Sequence, residues 1–225
     1  MSAQVTHPDV ARAKFRAEVD AFTADSALFR GRGAYLINAE FPTVTVLFAT
    51  PKITPAAVLF AMRVDYSDYD LRPPSVQFVH PFDDHALTAA EMPTKFPRLE
   101  SRPLPPEFAQ AVAAGQIPTE PVPAPASLPG DSPQQAANQM MVQMVTELLQ
   151  DYGPDTIPFL CLAGTREYHD HPGHSGDSWE LHRVSGAGSL VRLANIVLTY
   201  GVEPTIGWNV NLTPQVTIGF GQPPQ

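Results

Sequence analysis

Proline restricts this chain more than any other residue: 25 of its 225 positions, roughly twice the ~5% of ordinary proteins. Each one fixes φ and removes an N–H donor, which disfavours a helical bundle or a doubly wound sheet and favours long extended connections. Eleven fall between Pro93 and Pro133, where only Pro106 to Gly115 has the room for a short helix. Residues 93–133 therefore read as an extended, partly mobile insertion. At roughly 100–200 residues per domain, 1–225 is one domain carrying that insertion and a C-terminal tail, 201–225. Apolar residues at 44% and charged residues at 16% leave ample material for a core and rule out disorder throughout.

Outside the insertion the hydrophobic spacing is informative. Phe15, Val19 and Phe22 recur at helical intervals in Val10 to Phe22, an amphipathic opening helix. The spacing then becomes that of strands: Ala34 to Ile37, Thr43 to Phe48, Val58 to Val64 and Val76 to Val79, bounded by Pro42, Pro51, Pro55 and Pro73-Pro74. Four short strands in succession predict an antiparallel meander. Ser132-Pro133 followed by Ala137, Met141, Met144/Val145 and Leu148 predicts a helix running to Gly153-Pro154. Its methionines suit a core or a partner groove. Ile157 to Leu162 is a buried segment that delivers Cys161, and Ser189 caps a last helix, Leu190 to Tyr200, stopped by Gly201. Val216 to Phe220 is strand-like. The fold class is α+β: a meander sheet flanked by N- and C-terminal helices.

Fourteen basic against 23 acidic side chains give −9, which argues against phosphate neutralisation and hence against nucleic acid as a partner. A basic protein surface suits this charge better. The lone Cys161 cannot form an internal disulfide, no basic and apolar leader opens the chain, and no apolar run reaches the ~18 residues of a membrane span. A cytoplasmic protein without membrane partners is the expectation.

Four of the seven histidines fall within Thr165 to Arg183 (TREYHDHPGHSGDSWELHR). Cys161 stands at the mouth of this loop, where Arg166, His169, His171 and His174 favour a thiolate, making it either a nucleophile or a small buried hydrophobe. The spacing H-x-H-x2-H, with Cys161, Glu167, Asp177 and His182, also supplies enough donors for four-coordinate zinc, or else simply a solvated polar loop. His80-Pro81 alone reads as a turn. His7 and His85 read as surface residues with no assigned role.

The order of these pieces resembles the ubiquitin-conjugating enzyme (UBC) fold. Thr54-Pro55, the Tyr66/Tyr69 stretch, Pro73-Pro74, Val76, Phe78 and His80-Pro81 match the family's run into its His-Pro turn. Cys161-Leu162 matches the catalytic Cys-Leu, and Trp179 the tryptophan beyond it. The match spans Ala34 to Tyr200 apart from the insertion. It departs from the family where Phe82 replaces the asparagine that follows His-Pro, and where Cys161 lies 81 positions beyond His80 and not a short link away. The oxyanion donor would then come from His169, His171 or His174.

Cys161 to Trp179 also resembles the predicted metal-binding Cys-Glu-His-His family of bacterial ubiquitin-like operons. These resemblances imply a bacterial ubiquitin-like conjugation system, with antiviral defence among the roles implied. In one reading the chain is a transferase that carries the modifier as a thioester on Cys161, with His80, His169, His171 and His174 around the site. Its partners would be a ubiquitin-like modifier and an activating enzyme, and it needs no cofactor. In the other it is a non-catalytic zinc module with Cys161, Glu167, His171 and His174 as ligands and His169 competing. An inactive scaffold with Cys161 in its core is the third.

Overall fold

A computed structural model describes residues 6–103 and 141–207. Helix α1 (Pro8–Ala24) begins where Pro8 occupies the first turn and the His7 side chain accepts from the Asp9 N–H. It turns at Asp25 into a short α2 (Ser26–Arg32), an element with no signal in the hydrophobic spacing. Gly33 ends α2 with φ of 101°, and a Cβ there would lie 1.9 Å from the Ala49 carbonyl oxygen, so only glycine fits. The chain then enters β1 (Ala34–Glu40), β2 (Thr43–Thr50), β3 (Ala57–Asp65) and β4 (Ser75–Val79). They pair antiparallel in chain order, the expected meander.

One face of this sheet makes the core. Val44, Val46 and Phe48 of β2, Phe60, Met62 and Val64 of β3, and Val76 and Phe78 of β4 are all buried. The register sets Phe48 opposite Phe60 and Met62 opposite Phe78. Tyr35, Ile37 and Val58 emerge on the exposed side, as in an antiparallel sheet packed on one face. Phe15 and Phe22 of α1 join the core, as do Leu190, Leu193, Ala194 and Val197 of α4 (Leu190–Val197). The Glu18 carboxylate of α1 accepts from the Leu190 N–H (2.9 Å) and the Tyr69 hydroxyl (3.1 Å), tying the two helices together at the start of α4. This is the expected α+β class, a four-stranded antiparallel sheet with N- and C-terminal helices. Among the described residues no helix is long and apolar enough to cross a membrane.

Beyond β4 the expected helix is replaced by a strand. The first part of the insertion forms β5 (Pro97–Pro103), which pairs antiparallel with β6 (Met141–Glu147). The helix expected up to Gly153 is thus a strand over Met141–Glu147, because Val142, Val145 and Thr146 are β-branched and β5 supplies a full ladder of partners. Residues 104–140, with the expected helix start at Ser132-Pro133 and the Pro106 to Gly115 segment, lie outside the described residues, as does Val216 to Phe220. Two short strands, β7 (Leu149–Gln150) and β8 (Phe159–Leu160), pair next, and the Cys161 N–H donates to the Leu148 carbonyl (2.8 Å). At the far end, α4 continues as a π-helical turn, Leu198–Val202, past the expected stop at Gly201. Gly201 is not among the positive-φ glycines, so it provides no left-handed cap there.

Candidate functional site

Cys161 leaves β8 half-buried, and the loop that follows folds back over it. Gly164, with φ of 117°, makes the turn that permits this, since a Cβ there would lie 2.3 Å from the Ala187 carbonyl oxygen. Thr165 then caps α3 (Arg166–Asp170), its hydroxyl accepting from the Tyr168 N–H. The loop is clamped to the segment before β4. The Arg166 N–H donates to the Pro74 carbonyl (2.8 Å), the buried Trp179 indole donates to the Asp70 carbonyl (2.8 Å), and Arg72 pairs with Asp170 (2.9 Å).

The loop histidines have separate duties. His174 Nε2 lies 3.4 Å from Cys161 Sγ, within hydrogen-bond reach of sulfur. Its ring stacks on Tyr168 at 3.9 Å. The Tyr168 hydroxyl donates to Asp177 (2.7 Å), and the other oxygen of that carboxylate meets His182 Nε2 at 2.5 Å. His169 is used up within the loop: Nε2 accepts from the Gly164 N–H (3.2 Å), and Nδ1 donates to the Asp177 carbonyl (2.8 Å), a pattern that assigns the neutral Nδ1–H tautomer. His171 is similarly occupied, with Nδ1 accepting from the Gly173 N–H (3.0 Å) and Nε2 against the Tyr152 hydroxyl (2.6 Å).

Glu167 turns away from this group. One oxygen accepts from the Ser75 hydroxyl and the other from the Val76 N–H (3.1 Å), so both are engaged on β4. Of the proposed ligands Cys161, Glu167, His171 and His174, the structure brings together Cys161 and His174 and commits Glu167 and the two nitrogens of His171 elsewhere. His80 is likewise apart. It closes a turn after β4, where His80 Nδ1 and His85 Nδ1 both meet Asp83 Oδ1, at 2.8 and 2.6 Å.

Electrostatics separate these groups further. Burial raises the Cys161 thiol pKa, partly offset by the positive charge of Arg98 on β5. The thiol therefore needs a base at neutral pH, and His174 is the one in reach. Tyr168 is pushed up to about 12 by burial and by Asp177. Burial also raises Glu167, against the hydrogen bonds from Ser75 and Val76. Asp177 is held low by His182 and Tyr168. Tyr168, Tyr152 and Arg98 are site residues that the sequence motifs do not single out. Tyr168 is signalled in the sequence only as an aromatic residue flanking the histidine cluster, whereas Arg98 reaches this region only through the pairing of β5 with β6.

The site therefore belongs to an α+β protein with a cysteine–histidine pair at the end of a short strand. The model of the Y4jH family matches residues 6–117 and 106–205, and the chain belongs to that family. It is similar to an uncharacterized y4jH protein of Sinorhizobium fredii (strain NBRC 101917 / NGR234), 35% identical over 218 residues that cover 96% of this chain and 93% of the relative.

Proposed function

We propose that the chain is a thioester-carrying conjugating enzyme of a bacterial ubiquitin-like modification system, acting through Cys161 with His174 as its base. The observation that carries this reading is the 3.4 Å approach of Cys161 Sγ to His174 Nε2. The order of helix, meander, cysteine, tryptophan and helix supports it, because that order resembles the UBC fold.

In the first step His174 takes the Cys161 proton and the sulfur attacks the thioester carbon of the modifier on its activating enzyme. The enzyme's sulfur leaves as a thiolate and is protonated. In the second, a substrate amine attacks the new thioester, the C–S bond breaks, the protonated His174 returns its proton to the Cys161 sulfur, and the amine nitrogen releases its proton to solvent water. A thiol of raised pKa is a slower leaving group, which suits a carrier that must hold its cargo until the amine arrives. Arg98 supplies a positive field at the sulfur. With Phe82 in place of the family's asparagine, the protonated His174, 3.4 Å from the sulfur, would serve as the oxyanion donor.

The test is intact mass before and after incubation with the neighbouring activating enzyme, its ubiquitin-like partner and ATP, under native and denaturing conditions. The expected result is a thiol-labile adduct on Cys161. A native mass one zinc ion heavier, with Cys161 unreactive, would replace this reading with the non-catalytic zinc module. Neither adduct nor zinc, with modifier transfer intact in Cys161→Ala, would leave the inactive scaffold.

A further inference from the structure

We infer that the turn after β4 is a divalent transition-metal site of the zinc type, built by His80, Asp83 and His85. Nothing in the Cys161 group is needed for it. One ligand atom from each of the three, a ring nitrogen of His80, an oxygen of Asp83 and a ring nitrogen of His85, already converge, all within 4.8 Å of one another. The two imidazole rings stack at 5.0 Å with an interplanar angle of 19°, so both edges face the same carboxylate oxygen.

The turn is held in this shape by its own backbone. His80 N–H donates to the His85 carbonyl (2.8 Å), Asp84 N–H donates to the His80 carbonyl (3.0 Å), and Val79 bridges Ala86 beyond them. Asp84 adopts φ of 60°, and its carboxylate pairs with Arg63 on β3, which pins the turn to the sheet. Ligands on a loop fixed at both ends lose little freedom on binding, which is what preorganised metal sites require.

Donor chemistry selects the metal. Two imidazole nitrogens and one carboxylate oxygen suit zinc and its neighbours, and disfavour calcium or magnesium, which take all-oxygen shells. Tetrahedral bonds near 2.1 Å would place ligand atoms ~3.4 Å apart. The observed contacts of 2.6 and 2.8 Å need to open by less than about an ångström to admit the ion. Three protein ligands leave a fourth position for water, the pattern of an open site and not of a sealed structural one. A second carboxylate supports the assignment: Glu91 Oε1 stands 3.6 Å from His85 Nε2, and its other oxygen is fixed by the Thr88 N–H and hydroxyl (2.9 Å each). A carboxylate on the far nitrogen orients a histidine ligand and directs its Nδ1 to the metal.

The site can be probed without disturbing the fold, because the His80, Asp83 and His85 side chains are 39%, 61% and 47% exposed. The full chain, freed of metal with a chelator, is titrated with cobalt(II), whose absorption reports its ligands, and then with zinc in competition. We expect one cobalt per chain, a spectrum without thiolate-to-cobalt charge transfer, and retention of binding in Cys161→Ser. Asp83→Asn or His85→Ala should weaken binding more than about tenfold, the scale at which even supporting groups act, and Glu91→Gln about tenfold. Circular dichroism of each variant confirms that it is folded. A charge-transfer band that disappears in Cys161→Ser would move the metal to the cysteine. Wild-type binding no tighter than that of the His80→Ala/His85→Ala double variant would eliminate the site.

Discussion

The chain places histidines in two settings that solve opposite problems. In the loop of Thr165 to Arg183, most imidazole nitrogens are consumed by neighbours: His169 bridges Gly164 and Asp177, and His171 bridges Gly173 and Tyr152. Only His174 presents a nitrogen to Cys161. In the turn of His80 to His85 the backbone does the holding, and both side-chain Nδ1 atoms are left to one carboxylate. A run rich in histidine can therefore be mostly scaffold, while two histidines four residues of turn apart can be the better donors. What decides is where the backbone hydrogen bonds go.

The sharpest break between the two settings is at Cys161. If the loop alone carries covalent chemistry, Cys161→Ser abolishes the thiol-labile adduct completely, as read by denatured intact mass. A persistent adduct of the same lability would remove the site from this loop. Next in size is His174→Ala. Loss of a positioned base costs roughly 10²–10⁴-fold, so formation of the Cys161 adduct should slow by about 10²-fold or more, while alkylation of the parent by iodoacetamide is half-maximal at a pH above that of an ordinary thiol. Burial has raised the thiol, so the reactive thiolate accumulates only as pH rises. An equal slowing in His80→Ala would show that the turn and the loop form one site.

How much of this was legible in the sequence follows the range of the interactions. The meander was legible because Val44, Val46 and Phe48 alternate, and alternation reports a one-sided sheet directly. β6 was not: Met141, Val145 and Leu148 have helical spacing, and a short apolar run takes the form of whatever pairs with it, here β5, whose partner residues lie 38 to 50 positions earlier in the chain. Cys161 and His174 were both identifiable from residue type, yet their selection over His169 and His171 depended on a turn at Gly164 and a cap at His171. His85 looked like an ordinary surface residue, since its partnership with His80 is made by the backbone of Asp84 at positive φ. Glu167 reads as a ligand in the sequence, but Ser75 and Val76, about ninety residues earlier, claim its oxygens.

A smaller effect separates scaffold from surface. His169→Ala strands the buried Gly164 N–H and removes a contact to the Trp179 ring. An unsatisfied buried donor costs about 1–3 kcal/mol, so the urea midpoint should fall by a corresponding amount with an unchanged slope. His80→Ala, on the exposed turn, should stay within about 0.5 kcal/mol of the parent. Equal losses in the two variants would erase the distinction between a histidine that holds the fold and one that does not.

The last effect is the smallest and concerns acid. Glu167 has a folded-state pKa raised above its ordinary value by burial, whereas Asp83 is held below its own by the hydrogen bonds from His85 and His80. The two carboxylates therefore act in opposite directions. The folded state binds the Glu167 proton more tightly than the unfolded chain does. Its favourable contribution is fully present below the ordinary glutamate range and is lost as pH rises through the raised folded value. For Asp83 the contribution is present above the ordinary aspartate range and is lost as pH falls through the depressed one. Glu167→Gln keeps the shape: its amide oxygen can accept from the Val76 N–H while its NH2 donates to the Ser75 hydroxyl oxygen. The difference in unfolding free energy between parent and variant, followed from pH 7 down to pH 4.5, should shift in the parent's favour as Glu167 gains its proton. A flat difference would mean that Glu167 titrates as an exposed carboxylate does, and that its contact with β4 is open to water.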